Sequence, residues 1–174
     1  MRFPVAVLLL VVLGGCGAEQ SATPEAEPAE SRAGSHGVTV ILPAGWRTMP
    51  ADDGPVVDPV AQVAVSSGPM EDRETGCQVA DYGPADDAVS LIVLEWQPGD
   101  EIQLDPRPGR FGSEELPLTP GSIECFTGSG GTVQFTDHGR VFGAYVLLGP
   151  DAPAELADEA RAVLETLRVE PSQP

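Results

Sequence analysis

The chain has 174 residues and a formal net charge of −18 at pH 7, and all nine of its basic residues are arginines. Its length predicts a single domain that is large enough to bury its own core. The negative charge argues against nucleic acid and anionic lipid as partners, because both repel an acidic protein, whereas it allows a cationic partner without implying one.

The first segment is a short apolar run. Arg2 supplies a positive charge, and residues 4–13 are almost wholly apolar. A run of about ten residues is too short to cross a hydrocarbon layer of about 30 Å, and it is typical of the apolar part of an export signal. The small residues Gly14 and Gly15 follow it, as a signal peptidase requires.

The sequence Leu13-Gly14-Gly15-Cys16 resembles the lipobox of bacterial lipoproteins. This resemblance implies that residues 1–15 are a lipoprotein signal peptide and that Cys16 is acylated. The protein would then be lipid-anchored to the cell membrane on its extracytoplasmic face, because two or three acyl chains hold a protein firmly. The alternative is an ordinary secretory signal, which would leave an odd thiol in an oxidising compartment.

Residues 16–36 are predicted to be the lipidated cysteine and a disordered tether. Residues 17–36 contain no aromatic or large aliphatic side chain, so burial cannot offset the entropy lost on ordering. We expect the folded domain to occupy residues 37–170, with a short tail at 171–174.

Six segments rich in β-branched and aromatic residues predict strands. Residues 88–96 form the most continuous apolar run of the domain, which favours a central strand buried on both faces. Gly- and Pro-rich segments at 68–87 and 100–121 predict loops. The other expected strands are 38–42, 60–66, 122–126, 132–136 and 140–148.

The C-terminal part predicts a hairpin and a helix. Asp137-His138-Gly139 favours a three-residue turn with a bulge between the last two strands. An apolar stripe after Pro153 has helical spacing; its members are Leu156, Ala160, Val163, Leu164 and Leu167. Together these elements predict an α+β domain in which a curved antiparallel sheet of about five to seven strands packs against the C-terminal helix.

Two further cysteines, Cys77 and Cys125, remain once Cys16 is acylated. Thiols outside the cytoplasm tend to oxidise, so we expect a structural Cys77–Cys125 disulfide. A redox pair and a metal site are the alternatives. The chain contains no CxxC spacing, and two cysteines are too few for structural zinc.

No arrangement of residues predicts catalysis. The run from Thr127 to Gly131 superficially resembles the nucleophile region of chymotrypsin-like proteases, but it favours a loop between strands. His36 in the tether and His138 in the turn have no evident nucleophile or ligand partners.

Asp52, Asp53 and Asp58 lack the spacing of a calcium loop. The aromatic residues Trp46, Trp96 and Phe111 could line a groove, although core packing is expected for the tryptophans. We therefore predict no catalytic residues, no bound metal and no cofactor.

Several segments between residues 37 and 169 resemble a family of small exported actinobacterial proteins of uncharacterised function. They include Cys125-Phe126, the segment from Phe135 to Phe142 and the segment from Val163 to Val169. The ending of strand, Leu-Gly, helix and Leu-Arg-Val is also similar to Mog/PsbP-like domains, which implies an antiparallel sheet backed by helices. The resemblance implies a fold but supplies no catalytic residues.

These observations predict a non-enzymatic surface lipoprotein that acts as a binding or adaptor module for another component of the cell envelope. The first alternative is a lipoprotein that binds a small ligand or a cation through its acidic loops. A hydrolase is the remote alternative. The sequence does not fix the oligomeric state.

Overall fold

The computed structural model describes residues 31–49, 58–70, 75–97 and 103–172. The predicted signal peptide, Cys16, the tether up to residue 30 and the end of the tail lie outside these residues. The described strands are β1 Ser31–Ser35, β2 Val38–Leu42, β3 Arg47–Thr48, β4 Val60–Ser66, β5 Val89–Trp96, β6 Thr119–Ile123, β7 Phe126–Asp137, β8 Arg140–Leu148 and β9 Arg168–Val169. The described helices are α1 Gln78–Asp81 and α2 Glu155–Glu165.

The larger sheet has the strand order β3-β4-β5-β8-β7-β6, and all its strand pairs are antiparallel. Strand β5 lies between β4 and β8 and is buried on both faces. Leu91 and Val93 contact one core, and Ile92 and Leu94 contact the other. The predicted central strand is therefore confirmed, and its continuous apolar sequence follows from its two covered faces.

One face of this sheet is covered by helix α2 and by a second antiparallel sheet of order β1-β2-β9. The apolar stripe of α2 packs into this main core, with Ala160 and Leu164 fully buried. The α+β antiparallel architecture with a C-terminal helix is confirmed. The smaller sheet was not predicted, because β9 is only two residues long and pairs with a strand far away in the sequence.

The domain begins earlier than residue 37. Residues Ser31–Ser35 form β1, which pairs with β2 along its whole length and buries Ala33 in the main core. The prediction that the tether extends to residue 36 was therefore wrong at its C-terminal end. Backbone pairing, one buried methyl group and the hydrogen bond from Ser35 Oγ to Gln62 Oε1 hold this polar segment, and none of them produces a pattern of large apolar residues.

The opposite face of the larger sheet carries a second, smaller core. The segment 75–87, predicted as loop, includes the single turn of α1, which buries Val79 and Ala80. Tyr82 and the side chain of Cys77 pack against the same cluster. Trp96 lies over Gly143, where a β-carbon would meet the indole ring. The loop prediction was wrong for this one turn.

Two tight turns differ from the predictions. The β7–β8 turn contains only His138 and Gly139, both with positive φ, so it is the type I′ kind rather than a three-residue turn with a bulge. The predicted strand 122–126 is interrupted by a second such turn at Glu124 and Cys125. The predicted loop at residues 127–131 is instead part of the long strand β7.

The glycines of that run explain its strand conformation. A β-carbon at Gly131 would clash with the carbonyl oxygen of Pro117, and one at Gly130 would meet the side chain of Ile123. The run therefore lets neighbouring segments lie directly on the strand. In the part of the chain that the structure describes, no helix is long and apolar enough to cross a membrane.

Candidate functional site

A cleft with a volume of about 720 Å³ lies between the small sheet and the β7–β8 turn. Three arginines line it, together with a histidine and two carboxylate residues. Its polar lining residues are Arg32, Thr39, Arg107, Asp137, His138, Arg168 and Glu170. We refer to it as the arginine cleft.

One wall of the arginine cleft is the solvent face of the small sheet. Thr39 on β2 is the register partner of both Gly34 on β1 and Arg168 on β9. Arg168 is exposed, while the next residue, Val169, is buried. Arg32 precedes the buried Ala33 and is exposed. This strand alternation places the two arginines on the outer face of the sheet.

The other wall comes from the segment that crosses from β5 to β6. The backbone N–H of Arg107 donates to the carbonyl of Thr136 at 2.8 Å, which fixes the segment against β7. The Arg107 guanidinium donates to Asp137 Oδ2 at 3.2 Å and lies 5.6 Å from the ring centroid of Phe111. His138 Nε2 is 3.7 Å from Asp137 Oδ1. Arg107 is thus fixed through its backbone by Thr136 and through its side chain by Asp137 and Phe111.

A polar network adjoins the arginine cleft at Glu170. Arg140 donates two hydrogen bonds to the carboxylate of Glu95, at 2.7 and 2.6 Å, and a third to the backbone carbonyl of Glu170 at 3.1 Å. Gln62 Nε2 donates to Glu95 at 2.8 Å, and Ser35 Oγ donates to Gln62 Oε1 at 2.8 Å. The network links β1, β4, β5, β8 and the end of β9.

Arg140 is nearly buried, with 7% of its surface exposed. Its hydrogen bonds with Glu95 raise the pKa of the guanidinium above its ordinary value, against the opposing effect of burial. Its guanidinium also lies 5.2 Å from the ring centroid of Phe142. Arg140 therefore neutralises Glu95 inside the fold and holds the backbone beside Arg168, but it does not line the arginine cleft.

The predicted disulfide between Cys77 and Cys125 is confirmed. It joins the start of α1 to the β6–β7 turn across 48 residues of sequence, with a Cα–Cα distance of 6.0 Å. Structural disulfides persist in oxidising compartments, so the bond indicates an extracytoplasmic location. Cys16, the predicted lipidation site, lies outside the described residues.

The other candidates from the sequence do not come together in one place. His36 Nδ1 lies 3.2 Å from Gln62 Oε1, and His138 lies in the β7–β8 turn. Asp58 accepts a hydrogen bond from the backbone of Gln97. Asp52 and Asp53 lie outside the described residues. Within the described ranges, no group of three or more His, Cys, Asp or Glu side chains is placed to hold a metal ion.

The aromatic residues are divided between the two cores. Phe111 is buried against Phe135, with ring centroids 5.6 Å apart. Trp46 packs partly buried on the main core and donates from Nε1 to Glu159 at 2.8 Å. Trp96 packs on the second core. The prediction that the two tryptophans pack against the core is confirmed.

Sequence reasoning missed the arginine cleft. Arg32 was assigned to the tether, and Arg107 and Arg168 were not predicted to form a site. The three residues are far apart in the sequence and meet only through the β2–β9 pairing and the contact between residues 105–107 and β7. The one available signal was the exclusive use of arginine, the residue best suited to bidentate recognition of oxyanions.

Comparison of the chain with models of protein families, with curated proteins and with solved structures found no significant match.

Proposed function

We propose that this protein is a lipid-anchored, non-enzymatic binding or adaptor module on the extracytoplasmic face of a cell membrane, and that the arginine cleft is its binding surface. The cleft carries the proposal, since its volume of about 720 Å³ falls within the range of ligand sites in proteins. The Cys77–Cys125 disulfide supports the location, and the lipobox-like sequence at Cys16 supports the anchor.

The position of β1 connects the proposed anchor to the proposed binding surface. Ser31 lies fifteen residues after Cys16, so the intervening chain spans at most about 50 Å. Arg32, the second residue of β1, lines the arginine cleft. An acylated Cys16 would therefore keep the cleft near the membrane surface, within reach of envelope components.

The anchor is tested by replacing Cys16 with serine in the full-length protein and following its sedimentation with membranes. The wild-type protein should sediment with membranes and incorporate a labelled fatty acid. The Cys16→Ser protein should do neither and should accumulate unprocessed. Equal sedimentation of the two proteins would contradict the anchor.

The binding role is tested by photocrosslinking from the cleft in intact cells. A photoreactive amino acid at Thr39, inside the cleft, should give a discrete crosslinked product. The same residue at Gln134, on the exposed surface of β7, serves as the matched control and should not. Identical products from both positions, or no product from Thr39, would contradict the assignment of the binding surface.

A small-ligand-binding lipoprotein is the second candidate function. The same cleft favours it, because a cavity of this size and polarity fits a small polar molecule as well as a protruding group of a partner.

A further inference from the structure

The charge of the arginine cleft opposes the charge of the rest of the protein. The chain as a whole has a formal net charge of −18, but the cleft is lined by three arginines and two carboxylates. One of these carboxylates, Asp137, is already engaged by Arg107 at 3.2 Å. Counted over its arginines and carboxylates alone, the cleft therefore carries a net positive formal charge.

The acidic remainder of the chain does not cancel this local charge. Interactions between exposed charges are largely screened beyond about 8 Å at physiological ionic strength. A ligand in contact with the cleft is governed mainly by the guanidinium groups within a few ångströms. Guanidinium groups bind carboxylate and phosphate oxygens through paired N–H donors, and these charge-assisted hydrogen bonds are stronger than neutral ones.

The arginines also come from different segments of the fold, on the two walls of the cleft. Arg168 projects from a strand fixed at its two ends, because Glu170 N donates to Gly37 O at 2.8 Å and Leu167 N donates to Leu164 O at 3.0 Å. Arg107 is fixed by Thr136 and Asp137 on the opposite wall. Walls that carry guanidinium groups on both sides suit an anion with oxygens on several sides, which is the geometry of a phosphate group.

We infer that the arginine cleft binds a phosphate-bearing ligand, with Arg32, Arg107 and Arg168 as the residues that contact the phosphate oxygens. This inference rests on the proposed function and adds a class of ligand for its binding surface. The volume of the cleft accommodates a phosphate together with the group that carries it. The phosphate could belong to a lipid headgroup of the anchoring membrane or to a soluble molecule, and the chemistry of recognition is the same for both.

The experiment measures protection of individual arginines from phenylglyoxal, which modifies accessible guanidinium groups. The full-length protein in a zwitterionic detergent is titrated with inorganic phosphate, and the extent of modification at each arginine is read by peptide mass spectrometry. Phosphate should protect Arg32, Arg107 and Arg168 together. Arg47 and Arg110, both exposed and outside the cleft, should stay reactive, and chloride at equal ionic strength should protect none of them.

Two charge-matched variants test the specificity of the site. Arg168→Gln should weaken the phosphate protection of Arg107 by about ten-fold or more, which corresponds to loss of one charge-assisted hydrogen bond. Arg47→Gln removes an equal charge outside the cleft and should change it by less than two-fold. Equal weakening by both variants would overturn the inference, because it would show a general charge effect. Absence of protection in the wild-type protein would overturn it without any variant.

A second arm identifies the source of the phosphate. The lipidated protein is placed in phosphatidylcholine vesicles with or without phosphatidylglycerol at about 30%. Protection of the three arginines in either kind of vesicle without added phosphate assigns a lipid headgroup, and dependence on phosphatidylglycerol assigns an anionic one. Protection that appears only when inorganic phosphate is added assigns a soluble ligand. Retention of membrane attachment in Cys16→Ser would refute the anchor but leave the detergent titration valid, so failure of either idea is recognised separately.

Discussion

Arg140 and Glu95 form a two-pronged ion pair between the neighbouring strands β8 and β5, with nitrogen–oxygen distances of 2.7 and 2.6 Å. The remaining terminal nitrogen of Arg140 donates to Glu170, immediately after β9. One buried side chain thus ties the larger sheet to the smaller one. Because β9 carries Arg168, the ion pair also holds one wall of the arginine cleft.

Removal of Glu95 should destabilise the protein strongly. Glu95→Ala leaves the buried Arg140 charge without its partner, and we expect a loss of about 2–4 kcal/mol in the free energy of unfolding. Urea denaturation measures it. The double variant Glu95→Leu with Arg140→Met removes both charges and should recover part of this loss. A double variant less stable than Glu95→Ala would show that burial of the unpaired charge is not the cause.

The disulfide should stabilise the domain mainly by restricting the unfolded chain. The Cys77–Cys125 loop covers 48 residues, for which the chain-entropy model gives about 4 kcal/mol. The Cys77→Ser, Cys125→Ser double variant should therefore unfold at a lower urea concentration than the oxidised wild type. Reduced wild-type protein is the matched control and should behave like the double variant. Equal midpoints for oxidised and reduced protein would contradict the prediction.

Gly143 should not tolerate a side chain. A β-carbon at this position would lie 2.5 Å from Cη2 and 2.6 Å from Cζ3 of Trp96, so the indole ring would have to move. We expect Gly143→Ala to cost about 1–3 kcal/mol and to shift the tryptophan fluorescence spectrum. Gly109→Ala is the control, because its β-carbon meets nothing within 4 Å. If both variants were equally stable, the close packing of Trp96 on β8 would be refuted.

The stability of the protein should fall in alkaline solution through Tyr145. Burial raises the pKa of the Tyr145 phenol, with a smaller contribution from the charge of Glu124. Above pH about 10 the unfolded chain releases this proton while the folded protein retains it, so stability is complete below that pH and decreases as the pH rises. Thermal unfolding at a series of pH values measures the effect. Tyr145→Phe should flatten this dependence, and an unchanged slope in that variant would exclude Tyr145 as its source.

The sequence was sufficient for the elements whose residues form a periodic pattern. The apolar runs of β5 and β8 and the stripe of α2 each report which faces are buried, because side-chain direction repeats every two residues in a strand and about every 3.6 in a helix. The count and spacing of cysteines predicted the Cys77–Cys125 bridge. These strands, the helix and the disulfide can be predicted without knowing which distant residues are in contact.

Tertiary structure alone decided the placement of β1, the strand conformation of residues 127–131 and the arginine cleft. Strand β1 is held by backbone hydrogen bonds to β2, and such bonds do not depend on side-chain type. In the sequence, the glycines at 128, 130 and 131 indicate a loop. The structure shows neighbouring atoms at the positions that their side chains would occupy, and this close packing explains why glycine is used in a strand. Arg32, Arg107 and Arg168 line one cleft through the pairing of distant strands and the contact of residues 105–107 with β7, and a cluster of charges formed in this way leaves no local pattern in the sequence.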